Sequence, residues 1–352
     1  MQTSTSPART AVPPLPGRPP RLRWPAFGVA AAATVLAVAV SVALGSNTLG
    51  PGEVLDGLVH GGDGDAAVIV RDLRLPRTIV GLVAGACLGL AGALMQALTR
   101  NPLADPGLLG VEAGAAAAIV TAIAVLGLTT PGAYLLFALA GAAVASILVH
   151  GVGSGSRSRP GEADPIRLVL AGSAVTAVLM AYVEGVLITD PAAFAAFRGW
   201  RFGSIAGRDV GDLDVVGPVL LAGAVLALVL ARRLNALALG EDSSRSLGLD
   251  VRRTRLLGAL AITTLCGGVT ALAGPIGFVG LTVPYVARLL VGVDQRRVLA
   301  MSMPLGAVLV LGADTLGRVL GRPGEISVGI VTAAVGGPVF IALVRRGRIP
   351  RL

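Results

Sequence analysis

Long uncharged apolar stretches alternate with short polar segments along most of this chain. Because about 20 apolar residues in a helix cross a membrane core of roughly 30 Å, stretches of this kind indicate transmembrane helices. The uncharged run 113–149 is too long for one helix, and Thr129-Thr130-Pro131-Gly132 divides it, as Gly274-Pro275 divides 256–287. The pattern predicts an all-α polytopic membrane protein with about ten transmembrane helices. The stretches are residues 26–44, 78–99, 113–128, 132–149, 168–188, 215–231, 256–273, 275–287, 298–313 and 326–344.

The remaining segments are polar and divide the chain into a tail, a membrane domain and a short end. Residues 1–24 are rich in Pro, Ser, Thr and Arg, which predicts a disordered cytoplasmic tail. Residues 25–346 are predicted to form the ten-span domain, and 347–352 a second cytoplasmic tail. The run 26–44 is too long for a typical signal-peptide core, so we interpret it as an uncleaved first span. An amphipathic stretch, 190–214, precedes the sixth span.

Composition supports the membrane assignment and excludes one kind of chemistry. The 352 residues are 54% apolar and 14% charged, with a mean hydropathy of +0.80, whereas soluble domains carry roughly 25% charge. All 29 basic residues are arginines. Without lysine the chain has no phosphate-loop lysine, so it cannot hydrolyse ATP through such a site.

The arginines predict the orientation, because positive charge is retained on the cytoplasmic side of a membrane. With both termini inside, most arginines fall in cytoplasmic segments, and Arg288 lies near a cytoplasmic span end. The outer segments receive eight, namely Arg71, Arg74, Arg77, Arg198, Arg201, Arg208, Arg318 and Arg322. This distribution predicts N-in, C-in.

Three carboxylates lie within or near predicted spans: Glu112, Glu184 and Asp314. An ionisable group in a span is a candidate proton carrier, but each of these lies near a span end, where headgroups or an arginine such as Arg318 are within reach. Both interpretations stay open at the level of sequence.

Neither a metal site nor a cofactor is predicted. Cys87 and Cys266 lie far apart within apolar runs, and His60 and His150 have no Cys, His or carboxylate at ligand spacing.

Glycines recur every four residues in the second span, at Gly81, Gly85 and Gly89. They share one helix face, where the absence of side chains lets another helix approach closely. We predict tight helix packing there.

Two polar segments carry more specific information. Gly240 to Gly248, within the cytoplasmic insert 232–255, has acids in its first turn and Arg245 in its last, which predicts a short helix packed against the membrane surface or a cytoplasmic partner. Arg74 and Arg77 precede the second span on the outer side, where they serve either as headgroup anchors or as a docking point for an acidic partner.

A series of ordered motifs over residues 50–344 resembles the FecCD-like family, the iron-siderophore and cobalamin type of ABC importer permeases. The motifs are Arg74-Leu-Pro-Arg77, Gly85-Ala-Cys-Leu-Gly-Leu-Ala-Gly92, Arg100-Asn-Pro-Leu-Ala-Asp-Pro106, Gly240-Glu-Asp242 to Leu247-Gly248, Gly274-Pro-Ile-Gly-Phe-Val-Gly-Leu281 and Ala313-Asp-Thr-Leu-Gly-Arg318. The resemblance implies a structural role for the following residues in or near these motifs: Gln96, Asn101, Pro102, Asp105, Pro106, Gly274, Pro275, Gly277, Pro284, Arg288 and Asp314.

The resemblance implies an ABC type II importer permease fold and three kinds of partner. These are a second permease subunit, an extracytoplasmic substrate-binding protein and cytoplasmic ATP-binding subunits. It also implies two sets of contact residues. Arg74, Arg77 and Arg318 match positions that receive glutamates of the binding protein. The ATPase-coupling helix would comprise Gly240, Glu241, Asp242, Ser243, Ser244, Arg245, Ser246, Leu247 and Gly248.

Two positions depart from the family pattern. Ser327 follows Glu325-Ile326 where the family has proline, and Arg201 stands where an apolar residue is expected, so it faces either the cargo or a lipid headgroup.

The sequence leaves the cargo open. The leading hypothesis is import of a ferric siderophore, driven by a separate ATP-binding subunit, with cobalamin and heme as alternatives within the family. A proton-coupled secondary transporter using Glu184 or Asp314 is the alternative of another class.

Overall fold

The computed structural model describes residues 23–60, 64–128, 131–153 and 165–345. All regular secondary structure within these ranges is helical, and turns and loops join the helices. Ten helices correspond one for one to the predicted spans. They are α1 (Arg23–Ala43), α4 (Leu75–Thr99), α5 (Val111–Leu126), α6 (Pro131–Gly153), α7 (Pro165–Thr189), α9 (Val210–Leu237), α11 (Val251–Ala273), α12 (Val279–Val291), α13 (Gln295–Leu320) and α14 (Val328–Arg345).

The helices differ in length. Seven of the described helices are long and apolar enough to cross a membrane, whereas Val111–Leu126, Val279–Val291 and Val328–Ala342 are shorter apolar helices. The prediction of about ten membrane helices is confirmed in number and in order. In the N-in, C-in topology, the C-terminal ends of α1, α7, α11 and α13 lie at the outer side.

Four short helices connect or precede the spans. They are α2 (Pro51–Val59), α3 (Asp65–Val68), α8 (Pro191–Arg201) and α10 (Glu241–Ser246). A π-helical segment, Ile69–Arg74, joins α3 to α4. The amphipathic stretch 190–214 is therefore not one element: α8 covers its first half, and α9 begins at Val210 because the Asp209 carboxylate caps it.

The core is centred on α4, which packs along α13. About 78% of the most apolar stretch within Asp65–Thr99, which contains α4, is buried, against 17% of the corresponding stretch of α1. The predicted glycine packing is confirmed: a Cβ at Gly85 would meet the backbone of Gly306, and one at Gly89 the carbonyl of Ser302. Two helix backbones therefore touch at the centre of the protein.

Several sequence predictions fall outside the described residues. These are the C-terminal tail 347–352, the Thr129-Thr130 break, most of the loop after α6, and nearly all of the N-terminal tail. The predicted N-terminal boundary at residue 24 is close to the start of α1 at Arg23.

Candidate functional site

A cluster of four charged side chains joins the outer ends of α4 and α13 to the segment before α14. Arg77 donates from Nη2 to Asp314 Oδ1 at 2.7 Å and from Nη1 to Glu325 Oε2 at 2.6 Å. Arg318 Nε lies 3.0 Å from Asp314 Oδ2, one helical turn away. Asp314 and Arg318 are 1% and 2% exposed, so the centre of this outer ion cluster is buried.

Two buried arginines also bind the C-terminal end of α1. Arg74 donates from Nη1 to the carbonyls of Val42 and Ala43, at 2.9 and 2.7 Å. Arg318 donates from Nη1 to the carbonyls of Ser41 and Leu44, at 3.0 and 2.7 Å. The last carbonyls of a helix have no partner within it, so these guanidinium groups supply the missing donors.

These contacts bear on the predicted docking residues Arg74, Arg77 and Arg318. Arg74 and Arg318 are 4% and 2% exposed, and Arg77 has an 11% exposed side chain. All three have intramolecular partners in this conformation, so a glutamate of another protein would have to compete with them. Docking stays a prediction; what the structure assigns to the three arginines is the joining of α1, α4 and α13.

Glu325 is the most accessible member of the outer ion cluster, with a side chain 30% exposed. Burial by itself would raise the pKa of this carboxyl. The hydrogen bond and positive charge of Arg77, together with the Ser46 hydroxyl and Arg318, outweigh burial and hold the pKa of Glu325 below its ordinary value.

At the cytoplasmic side, α10 coincides with the predicted coupling helix. Gly240, at φ +100°, begins it, and Ser244 Oγ donates to the carbonyls of Ala236 and Gly240, at 2.8 and 2.6 Å. Glu241 pairs with Arg255 and, at 3.4 Å, with Arg245. A helix of six residues is unstable alone, so these bonds to the ends of α9 and α11 hold it in place.

The opposite face of α10 is exposed. Asp242, Ser243 and Ser246 lie on it, and Leu247, at the C-terminal end, is 68% exposed. Leu239, just before the helix, is 65% exposed. One face of α10 is thus anchored and the other is exposed, with an exposed apolar residue on each side of a polar centre.

Gln96 and Arg288 connect α4 and α12 near their cytoplasmic ends. Gln96 Nε2 donates to the carbonyls of Gly280 and Leu281, at 3.3 and 3.2 Å, and Gln96 Oε1 accepts from Arg288 Nη2. Within the described residues, Arg288 Nε and Nη1 have no hydrogen-bond partner. Pro284 is buried in the same helix.

The loop after α4 uses its motif residues to shape turns. Asn101 Oδ1 accepts from Leu103 N–H at 2.9 Å, and Asp105 Oδ1 accepts from Gly107 N–H at 2.8 Å, which begins the 3₁₀ helix Pro106–Leu109. Burial raises the pKa of Asp105 more than the Gly107 N–H lowers it. Pro102 is half-buried in this loop.

At the outer side, Gly274, Pro275 and Gly277 form the turn between α11 and α12. Gly274 has φ +77°, and a Cβ there would meet the carbonyl of Trp200 at the end of α8. Glycine is required because the backbone of α8 approaches this closely.

Of the other two candidate carboxylates, Glu112 lies in the first turn of α5, and Glu184 binds the arginine that departs from the family pattern. Arg201 Nη2 donates to Glu184 Oε1 at 2.5 Å, and both side chains are more than 40% exposed. Asp314 and Glu184, the two proposed proton carriers, are thus both paired with arginines.

The contacts that Ser41, Thr78 and Glu325 make at the outer side were not predicted from the sequence. Ser41 Oγ and Thr78 Oγ1 are 2.8 Å apart, and Ser41 Oγ accepts from Arg318 Nη2 at 3.0 Å. Two hydroxyls at the same end of neighbouring spans are a signal only once the spans are known to pack together.

Comparison with known proteins finds relatives that match most of the chain. The profile of the FecCD transport family matches residues 33–346. The ferric enterobactin transport system permease protein FepD of Escherichia coli is 48% identical over 313 residues, which cover 89% of this chain and 92% of that protein. The Fe(3+)-citrate import system permease protein YfmD of Bacillus subtilis is 40% identical over 80% of this chain and 82% of its own length.

A solved structure supports the fold. A metal-chelate type ABC transporter in an inward-facing conformation matches with a TM-score of 0.78 and 26% identity, covering 93% of this chain and 99% of that one.

Proposed function

This chain belongs to the FecCD transport family, and from that premise we propose that it carries a ferric siderophore across the cell membrane. It is a multi-pass membrane permease of an ABC importer and not itself an enzyme. The extent of its identity with the ferric enterobactin permease is the observation that carries the cargo class.

Energy has to come from another subunit. The chain contains no lysine for a phosphate loop, and α10 presents an anchored surface on the cytoplasmic side. We propose that α10 sits in a cleft of the ATP-binding subunit, and that movement of this subunit tilts α9 and α11 through the Glu241–Arg255 and Ser244 contacts.

The coupling role predicts a different effect for two exposed leucines. Leu247→Asp places a charge on the proposed contact with the ATP-binding subunit. Leu55→Asp places a charge on α2 at the outer side, where Leu55 is 62% exposed. We expect Leu247→Asp to reduce binding of the ATP-binding subunit about tenfold or more, and Leu55→Asp to leave it unchanged. Co-purification and ATP-driven uptake in proteoliposomes measure both. Equal effects of the two variants would contradict the role of α10.

Docking of the binding protein at the outer ion cluster is a further proposal, supported by the position of the arginines at the outer ends of α4 and α13. Glu325→Gln removes the anionic partner of Arg77 Nη1. If an acidic residue of the binding protein binds Arg77, this variant binds that protein more tightly, because an internal competitor is gone. Unchanged affinity in a surface plasmon resonance titration would count against docking at Arg77.

The proposed identity of the cargo can be tested with the reconstituted complex of permease, ATP-binding subunits and binding protein. ATP-dependent uptake of radioactive iron as a siderophore complex, in preference to cobalamin or heme, is expected. Deletion of Glu241 to Ser246 should abolish it while the protein still inserts. Uptake by the permease alone in a proton gradient would instead support the proton-coupled alternative.

A further inference from the structure

The side-chain amide of Asn235 joins the cytoplasmic end of α9 to the start of α13. Its Nδ2 donates to Asp294 Oδ1 at 2.9 Å, and its Oδ1 accepts from the Gln295 backbone N–H at 2.8 Å. One end of the amide faces a carboxylate and the other faces an N–H group, so the partners fix its orientation. We call Asn235, Asp294 and Gln295 the α9–α13 clip.

Asp294 is charged in the clip and also begins α13. Burial by itself would raise the pKa of this carboxyl, but the hydrogen bonds that it accepts and two neighbouring arginine charges hold its pKa below the ordinary value. Asp294 Oδ1 also accepts from the Arg296 N–H at 3.0 Å, which caps the helix. Because Asn235 binds the capping group itself, the end of α9 and the start of α13 cannot separate without breaking the clip.

The α9–α13 clip lies beside the proposed coupling helix. The carbonyl of Ala236, the next residue of α9, accepts from Ser244 Oγ of α10 at 2.8 Å. Adjacent residues of α9 thus contact α10 on one side and α13 on the other. If α10 moves, the end of α9 moves with it, and α13 has to follow or the hydrogen bonds of the clip have to break.

The helix α13 leads from the clip to the outer ion cluster. It is one helix of 26 residues, and Asp314 lies roughly 29 Å from its start. Pro304 weakens the helix near its middle, but the backbone of the neighbouring Gly306 lies against Gly85 of α4. Since α4 carries Arg77 of the same cluster, a displacement of α13 arrives at the cluster through both helices.

A second route from α10 leads to a different place on the outer side. Glu241 pairs with Arg255 near the start of α11. At the other end of α11, the Thr270 carbonyl accepts from Trp200 Nε1 of α8 at 3.1 Å. The α11 route therefore ends at α8, whereas the clip leads to the ion cluster, so the two routes can be distinguished by which outer element responds.

We propose that Asn235 is a positioning residue of transport, which makes α13 follow the coupling helix, so that the nucleotide state of the ATP-binding subunit reaches the outer ion cluster. The inference rests on the proposed function, because it takes α10 as the contact with that subunit. A clip that only braced the fold would, when broken, lower hydrolysis and uptake together. A clip that transmits movement, when broken, leaves hydrolysis in place and removes uptake.

Exchange of the amide and the carboxylate tests the clip specifically. Asn235→Asp removes the donor and places a second carboxylate against Asp294. Asp294→Asn keeps an acceptor for the Asn235 amide and for the cap, so it should resemble wild type. In the double variant Asn235→Asp, Asp294→Asn, the amide donates in the reverse direction and the Gln295 N–H keeps its acceptor. The clip is broken in one single variant and restored in the double variant.

The number of ATP molecules hydrolysed per imported ferric chelate measures the coupling, in proteoliposomes with ATP-binding subunits and binding protein. Asn235→Asp should raise this ratio about tenfold, through lower uptake at nearly unchanged hydrolysis, and the double variant should restore it. Asn101→Asp makes the same change in a cytoplasmic loop, where Asn101 Oδ1 accepts from the nearby Leu103 N–H. This matched control should leave the ratio unchanged.

Two results of this measurement would overturn the inference. The first is a parallel fall of hydrolysis and uptake in Asn235→Asp, with an unchanged ratio and a lower thermal midpoint in detergent, which is the signature of a brace. The second is a double variant that stays as poorly coupled as Asn235→Asp.

A fluorescent probe reports on the two outer elements separately. Bimane is attached to Leu320→Cys, at the end of α13 where Leu320 is 70% exposed, or to Ala195→Cys, on the exposed surface of α8. With a non-hydrolysable ATP analogue, the emission at both positions should change in the complete transporter. Asn235→Asp should abolish the change at Leu320→Cys and keep it at Ala195→Cys. Loss at both positions, at neither, or no response at Leu320→Cys with an intact clip would contradict the proposal.

The probe needs no cargo, so the inference and the proposed function can fail separately. If the complete transporter imports no ferric chelate, the proposed cargo is wrong, and the bimane response still decides about the clip. If import is normal and Asn235→Asp hydrolyses no more ATP per chelate than wild type, only this inference fails.

Discussion

Arginines at the outer end of the bundle have two distinct roles, which their surroundings decide. Arg74 and Arg318 are buried and donate to backbone carbonyls at the end of α1, so they replace hydrogen bonds that the helix cannot make itself. Arg201 is exposed and has one carboxylate partner. Buried guanidinium groups with fixed partners stabilise the fold, whereas exposed ones remain available to a ligand.

Removing one member of the buried cluster should be costly. Asp314→Asn leaves Arg77 and Arg318 without their shared carboxylate, and breaking a buried pair from one side costs about 3 kcal/mol. We expect a clear fall in the thermal midpoint in detergent. Asp56→Asn, in a pair with His60 whose side chains are both 76% exposed, is the control and should change the midpoint little. Similar midpoints for the two variants would show that the cluster is not stabilising.

Acid should weaken the same region through Glu325. Its pKa is lower in the folded protein than the ordinary 4.5, so its stabilising contribution is complete above that pH and is lost as the pH falls through the folded pKa. Wild type should therefore lose stability relative to Glu325→Gln as the pH falls below about 4.5. A stability difference between the two proteins that does not change with pH would contradict this assignment.

Among the helices, α4 and α13 cross in close contact because glycines lie at the crossing. The glycines at 81, 85 and 89 form a face without side chains, and Gly306 on α13 meets Gly85 backbone to backbone. In lipid, where water does not drive helices together, such van der Waals contact is a main source of association. The helices of the core are therefore held by small residues, while α1 and α7 keep more apolar surface exposed.

A larger side chain at this crossing should separate the two helices. Gly85→Val should destabilise the protein by about 2 kcal/mol, because neither backbone can move without disturbing its own packing. Gly28→Val on α1, where a Cβ meets nothing within 4 Å, should be neutral. The thermal midpoints of the two variants in detergent provide the comparison. Tolerance of valine at both positions would mean that the crossing is looser than the structure has it.

Over the whole molecule, polar clusters lie on both sides of the membrane. The outer side holds the ion cluster, and the cytoplasmic side holds α10. These surfaces are connected by long helices such as α7, α9 and α11, so a movement at α10 can reach the outer side through packed helices.

Labelling from outside tests the orientation. Cys87 and Cys266 are both free and buried, so they give little background. A membrane-impermeant maleimide on spheroplasts should label Ala195→Cys, on the exposed surface of α8, and should not label Ser243→Cys on α10 until the membrane is permeabilised. Labelling of Ser243→Cys in intact spheroplasts would reverse the topology.

Much of this organisation follows from local sequence. The number and order of the spans depend on the lengths of apolar runs, and the orientation on where arginines lie between them. The short helix in the cytoplasmic insert and the glycine packing of α4 also follow from local patterns, because caps and four-residue spacing act over one or two helical turns. The absence of lysine excludes ATP hydrolysis through a phosphate loop of this chain.

Partners of the charged side chains were decided only by the tertiary structure. Arg318 binds the end of α1, 274 to 277 residues earlier, and Arg77 meets Asp314 across 237 residues. An outer arginine looks the same in sequence whether it is buried against carbonyls, as Arg74 is, or exposed, as Arg198 is. The difference depends on which helix ends meet in space, because a guanidinium group is satisfied by whatever acceptors the packing brings to it.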